Sequence, residues 1–86
     1  LVKHQIPEHM HDGVVRYIVH GIEPGHFLVA LLTNDLRESF ARADEENAAK
    51  MRNWATWLYN CAPAMSHGSL ALVKRWMAAR REGNSL

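Results

Sequence analysis

The run His20-Gly-Ile-Glu-Pro-Gly-His-Phe-Leu-Val-Ala-Leu-Leu-Thr-Asn-Asp-Leu36 decides the fold. Gly21 suits the left-handed position that closes a helix, and Pro24 suits a first helical turn, where its missing N–H costs nothing. One helix therefore stops near His20, and a second starts at Pro24 after a tight corner. The second helix carries an apolar stripe of Phe27, Leu28, Leu31, Leu32, Leu36 and Phe40 toward Ala43. Asn34 and Asp35 interrupt that stripe and are poor helix formers, so the spacing allows either one helix over 24–43 or two helices broken near Asn34.

Upstream, Met10, Val14, Tyr17 and Ile18 recur at helical spacing, which predicts a helix from Pro7 to about His20. Asp12 and Arg16 form an i,i+4 pair on its outer side. Gly13 weakens this helix by roughly 1 kcal/mol relative to alanine, so a neighbour crosses closely there or the helix is locally loose. Downstream, Asp44 reads as an N-cap with Glu45 and Glu46 in the favourable first turn. The following helix, ended by Pro63, carries Met51, Trp54, Ala55, Leu58 and Ala62 on one face, with Trp57 and Tyr59 at its edges. That arc is the widest in the chain and puts Trp54 at the centre, among Leu28, Leu31, Leu58 and Val73. Ser69 caps a last helix with Leu70, Val73, Trp76 and Met77 inward, which runs out before Gly83.

No strand pattern, repeat or low-complexity tract appears. The fold class is all-α, a compact bundle of four to five short helices in a single domain over 1–86, with loose ends at 1–5 and 83–86. Composition agrees: 48% apolar, 22% charged and three Trp are the proportions of a folded globule. A chain of this length buries only about 60–65% of its unfolded surface, so the core is small. The longest apolar run, Phe27 to Leu32, falls far short of the roughly 20 residues that cross a bilayer, so no membrane is expected. A lone Cys61 forms no internal disulfide and points to a reducing cytosol.

Net charge is +1, but residues 23–49 hold six acidic and two basic residues, whereas residues 50–86 hold one acidic and six basic. Such a split serves most often as a match within the chain or between subunits, so a homo-oligomer is one expectation. The basic patch Lys74, Arg75, Arg80 and Arg81 is the best nucleic-acid candidate. It sits where a helix dipole alone favours cations, and nucleic acid is not the expected partner. His9 and His11 are two apart and point to different sides of a helix, which does not suit metal ligation. Cys61 and His67 could pair as nucleophile and base only if the fold brought them within hydrogen-bond reach. Neither a metal, a cofactor nor a catalytic group is expected.

A more informative set is Asn34, Asp35, Arg42, Asp44, Asn47, Tyr59 and Asn60, polar side chains embedded among apolar ones. As a structural network, Arg42 would pair with Asp35 or Asp44 while the amides cap helix ends. As a binding surface, Asn34, Asp35, Arg42, Trp57, Tyr59 and Asn60 would line a shallow groove, with aromatics and arginine as anchors. Beside Pro24-Gly25, the side chains of Arg42, Trp57 and Tyr59 would also suit a phosphate and a base, as in an oligomeric nucleotide-binding sponge.

The ordered set Ile6-Pro-Glu-His-Met, Val15-Arg-Tyr, His20-Gly-Ile-x-Pro-Gly-x-Phe-Leu28, Leu32-x-Asn-Asp-Leu36, Phe40-x-Arg-Ala-Asp44, Trp57-Leu-Tyr-Asn60, Ala62-Pro63 and Gly68-Ser69 resembles a family of small phage- and prophage-encoded proteins. The resemblance spans about residues 6 to 77. The chain departs from the family at Leu70, where proline is common, and at Ser66-His67, where Cys-Trp is frequent. The resemblance implies no activity and supplies no site residue. It implies a viral accessory protein made in the cytoplasm of a bacterial host. With no catalytic constellation, the expected function is non-enzymatic: binding and modulating a host protein, most plausibly inhibiting a defence system, with a nucleotide sponge or a small DNA-binding regulator as alternatives.

Overall fold

The computed structural model describes residues 4–82, so the loose end expected at 83–86, and residues 1–3 of the one expected at 1–5, lie outside the described residues. The chain forms α1 (His11–His20), α2 (His26–Leu32), α3 (Leu36–Arg42), α4 (Glu45–Ala49), α5 (Met51–Asn60) and α6 (Leu70–Arg81). Two 3₁₀ turns, Glu8–Met10 and Ala64–Ser66, precede α1 and α6, and no strand occurs among the described residues. The all-α reading holds. The count reaches six because both long helical stretches break. The first breaks at Asn34, and the stretch after Asp44 turns at Lys50 into separate α4 and α5.

The corner at Gly21 has the expected left-handed geometry (φ 68°), with its N–H donating to Tyr17 O at 3.1 Å. It is also a close crossing of α1 and α6. A Cβ there would lie 2.5 Å from Met77 O and 2.8 Å from Arg80 Cβ on α6. The close crossing considered for Gly13 is therefore found at Gly21; a Cβ on Gly13 meets nothing within 4 Å. Trp76 locks the same junction, its indole N–H lying 3.3 Å from Tyr17 O and 3.2 Å from Ile18 O. Tyr17 in turn donates its hydroxyl to Ser66 O at 2.6 Å, and burial pushes its phenol far above the ordinary range. A phenol so placed stays protonated, as a donor must.

The core joins Ile6, Val14, Tyr17, Phe27, Leu28, Leu32, Trp54, Trp57, Val73, Trp76 and Met77. Trp54 is fully buried at its centre, edge-on to Phe27 (5.6 Å between centroids) and to Trp57 (5.9 Å). Such T-shaped pairs contribute about 0.5–1.5 kcal/mol beyond area burial. The indole N–H of Trp54 donates to Asn47 Oδ1 at 3.0 Å, which satisfies the one polar atom a buried tryptophan brings. Trp57 is thus corrected from a groove residue at the edge of the arc to a core residue, 5% exposed. Leu70, expected in the buried stripe of α6, is the first residue of that helix and is half exposed instead.

Candidate docking face

The residues that matter most follow from how α2 ends. Thr33 turns its hydroxyl back to Val29 O (2.8 Å) and Ala30 O (3.1 Å), competing with helix continuation. Asn34 then takes a left-handed conformation (φ 66°), which asparagine tolerates better than most residues. Asp35 N donates to Ala30 O, and its carboxylate caps α3 by accepting from Glu38 N at 3.1 Å. This single left-handed step rotates everything after it. Ser39 becomes the only buried residue of α3, its hydroxyl donating to Asp35 O at 2.6 Å. Leu36 and Phe40, expected on the continuous buried stripe of α2, are swung outward.

Leu36 is 68% exposed and Phe40 51% exposed. They rim a shallow groove of about 330 Å³ between α3 and α5, floored by Leu31, Met51, Ala55 and Leu58. Tyr59, 89% exposed, lies one helical turn beyond Ala55 on α5 and so extends the same face. Asn34 and Asp35 line the groove's end. Leu36, Phe40 and Tyr59 are three of the eight large hydrophobic side chains exposed among the described residues, and Leu36 and Phe40 line one groove. Contiguous apolar surface of this kind marks interaction sites.

The other predicted site residues are distributed differently. Arg42 pairs with Glu38 (2.9 Å, i,i+4) rather than with Asp35 or Asp44, and it faces a second, polar hollow on the far side of α3. That hollow includes Pro24 and Gly25, but Glu23, Asp35 and Glu38 give it three carboxylates, and neither Trp57 nor Tyr59 borders it. The trio proposed for a phosphate and a base is therefore not assembled: Trp57 is in the core and Tyr59 lies beside the other groove. Asn60 stays within its own helix, its side-chain amide donating to Thr56 O at 3.1 Å. Asp44 caps α4 as expected, accepting from Asn47 N at 2.7 Å, and this bond, aided by His9, holds its carboxyl below the usual value. Asn47 serves the core through Trp54. Of the seven polar residues, Asp35 and Asp44 cap helices, Arg42, Asn47 and Asn60 each make a separate contact of their own, and they do not join into one network.

The basic residues do not share a face. At about 100° per residue, Lys74 and Arg81 fall on one side of α6, while Arg75 and Arg80 diverge by roughly 140°. Lys74 and Arg75 are exposed. Arg80 lies over the Trp76 ring, its Cζ 4.4 Å from the centroid, with Nε buried and lacking a hydrogen-bond partner among the described residues. Arg81 Nε donates to Met77 O at 3.3 Å. Cys61 is exposed and its Sγ sits 2.9 Å from His4 Nε2, so the partner considered for it, His67, is corrected to His4. Among the described residues no group of three His, Cys, Asp or Glu side chains is arranged to hold a metal ion. No helix there is long and apolar enough to cross a membrane.

Sequence reasoning missed Leu36 and Phe40 as surface residues. The signal was present in Asn34-Asp35: a left-handed residue followed by a cap resets helical phase, so a stripe cannot be read across it. Neither a family model, a curated protein nor a solved structure matches the chain.

Proposed function

We propose that this protein is a non-enzymatic phage or prophage accessory protein that binds a bacterial host protein, within a defence system, through the face between α3 and α5. The observation that carries the reading is the outward presentation of Leu36 and Phe40 at i,i+4 spacing, flanked by Tyr59. Residues at that spacing on one helix are the anchors by which a helix enters a partner's groove. Burying a Leu or Phe side chain on docking contributes about 1.5–3 kcal/mol each, enough for two such residues to act as hot spots. The bacterial host rests on the resemblance of Ile6-Pro-Glu-His-Met, Trp57-Leu-Tyr-Asn60 and the other matching segments to phage-encoded proteins, which implies no activity, and the defence target is the further step that the test below addresses.

The test compares tagged wild-type protein with the Leu36→Glu/Phe40→Glu double variant in lysate of a bacterial host carrying a defence system. The reading expects a host protein retained by the wild type and lost by the variant, with defence restored in cells that express the variant. Equal capture by both, or no enriched protein at all, overturns it.

A further inference from the structure

The groove between α3 and α5 is apolar along its floor and basic along both borders. Arg52 lines it from α5. On α3, at about 100° per residue, Arg37 falls roughly 60° beyond Phe40, on the side away from the buried Ser39. Both arginines are exposed, and neither lies within 4 Å of a carboxylate oxygen among the described residues. Arg16 and Arg42, by contrast, each have an acidic partner on their own helix. The one carboxylate lining the groove, Asp35, accepts from Glu38 N and so serves its own helix cap.

Nothing local accounts for the two arginines. Each is the second residue of its helix, at the end where the unpaired backbone N–H groups disfavour a cation. Arg80 and Arg81 sit at the opposite end of α6, where a helix favours them. An apolar floor with an unneutralised positive border fits a partner that is apolar where it enters and acidic where it flanks. The groove runs between two helices, and no strand edge among the described residues could pair with an extended chain. A third helix fits there by packing its ridges between Leu36, Phe40 and the floor. At about 1.5 Å per residue, α3 and α5 are roughly 10 and 15 Å long, room for about two to three turns of that helix. Two arginines over apolar surface offer little to a phosphate backbone, which favours a protein over a nucleic acid. A second copy would offer α1, whose exposed Val15 and Val19 adjoin the self-neutralised Asp12–Arg16 pair.

We propose that the partner at this face presents an acidic amphipathic helix. Its apolar side chains at i, i+3 or i+4, and i+7 enter the groove against Leu36 and Phe40, and carboxylates on its flanks meet Arg37 and Arg52. The proposal rests on the reading of the α3–α5 face as the docking surface and adds the chemistry of what docks there.

Fluorescence anisotropy with labelled synthetic helices of about four turns tests it. The peptides share one leucine stripe and carry Glu, Gln or Lys along its flanks. The Glu peptide is expected to bind about tenfold tighter than the Lys peptide, with Gln between, because two exposed contacts change from attraction to repulsion. High salt should narrow that preference. Leu36→Gln/Phe40→Gln should lose all three peptides, and Arg37→Glu/Arg52→Glu should reverse the order in favour of Lys. Both pairs are exposed, and Glu suits a first helical turn, so both variants should keep the wild-type far-UV spectrum. Equal binding of the Glu and Lys peptides, both lost in Leu36→Gln/Phe40→Gln, overturns the acidic assignment while the docking face stands. Binding of no peptide, or Glu-peptide binding unchanged in either variant, overturns it too. So does tighter binding of a labelled single-stranded oligonucleotide, or a dimer in sedimentation that Leu36→Gln/Phe40→Gln abolishes, since nucleic acid or a second copy would then be the occupant. Failure of the docking face itself shows separately, in the capture from host lysate.

Discussion

The same substitution at two glycines of the α1 region should have opposite effects. Gly21→Ala places a methyl group at φ 68°, where L-residues pay roughly 1–2 kcal/mol. The new Cβ would also sit 2.5 Å from Met77 O, a backbone atom of α6 that cannot rotate away. Relief requires α1 and α6 to move apart, straining the Trp76 bonds to Tyr17 O and Ile18 O, and overpacking of this kind costs about 1–3 kcal/mol. The two effects together give a loss of about 2–5 kcal/mol, comparable with the whole stability expected of a small domain. Gly13→Ala instead adds a methyl group that meets nothing within 4 Å, inside a helix. It should stabilise by about 0.5–1 kcal/mol, through reduced unfolded-chain freedom and better helix propensity. Urea denaturation followed by tryptophan fluorescence measures both, provided the slopes match, so that midpoint shifts report stability alone. A Gly21→Ala midpoint equal to wild type, or a Gly13→Ala midpoint below it, would refute the packing argument.

Trp54→Ala and Trp57→Ala should each cost about 3–5 kcal/mol, the range for large core truncations, and both should melt below wild type by circular dichroism; a wild-type melt for Trp57→Ala would return that residue to the surface. Leu36→Glu/Phe40→Glu should keep its far-UV spectrum and stability within about 0.5 kcal/mol, as exposed positions do, and a large loss by the same measurement would place α3 in the core. Asp44 has its carboxyl held below the ordinary 3.8, first by Asn47 N–H and then by His9. A carboxylate depressed in the folded state stabilises it above the unfolded value, and that contribution disappears as pH falls through the folded one. The melting temperature should therefore drop as pH is lowered below 3.8, and Asp44→Asn should drop less steeply over that range in calorimetry.

What the sequence made legible were the features set by local chemistry. Asp44 and Ser69 occupy the cap positions their side chains dictate, Gly21 the left-handed one its missing Cβ allows, and the facing of Val14, Tyr17, Trp54, Val73 and Trp76 follows from helical period alone. What it hid were the consequences of phase. Asn34 was visible as a weak helix residue, but only its left-handed φ shows that Leu36 and Phe40 leave the core together. Lys50 ends α4 without proline or glycine, so the turn between α4 and α5 had no compositional mark. The pairing of Arg42 was also hidden: Glu38 on its own helix outcompetes Asp35 and Asp44 because i,i+4 geometry needs no tertiary precision. His9 meeting Asp44 and Glu46 depends on a fold-level approach between residues some 35 apart, which no spacing rule reports.

All three tryptophans, Trp54, Trp57 and Trp76, are buried, while the face carrying Leu36, Phe40 and Tyr59 contains none. The intrinsic emission of this protein is accordingly a reporter of unfolding that is blind to docking. A titration with a true partner on that face could leave the fluorescence spectrum unchanged and pass for no binding. Phe40→Trp would give the face its own signal: emission typical of a solvent-exposed indole in the free protein, shifting to the blue as a partner covers it. In such a protein, silence in the native fluorescence carries no information about association.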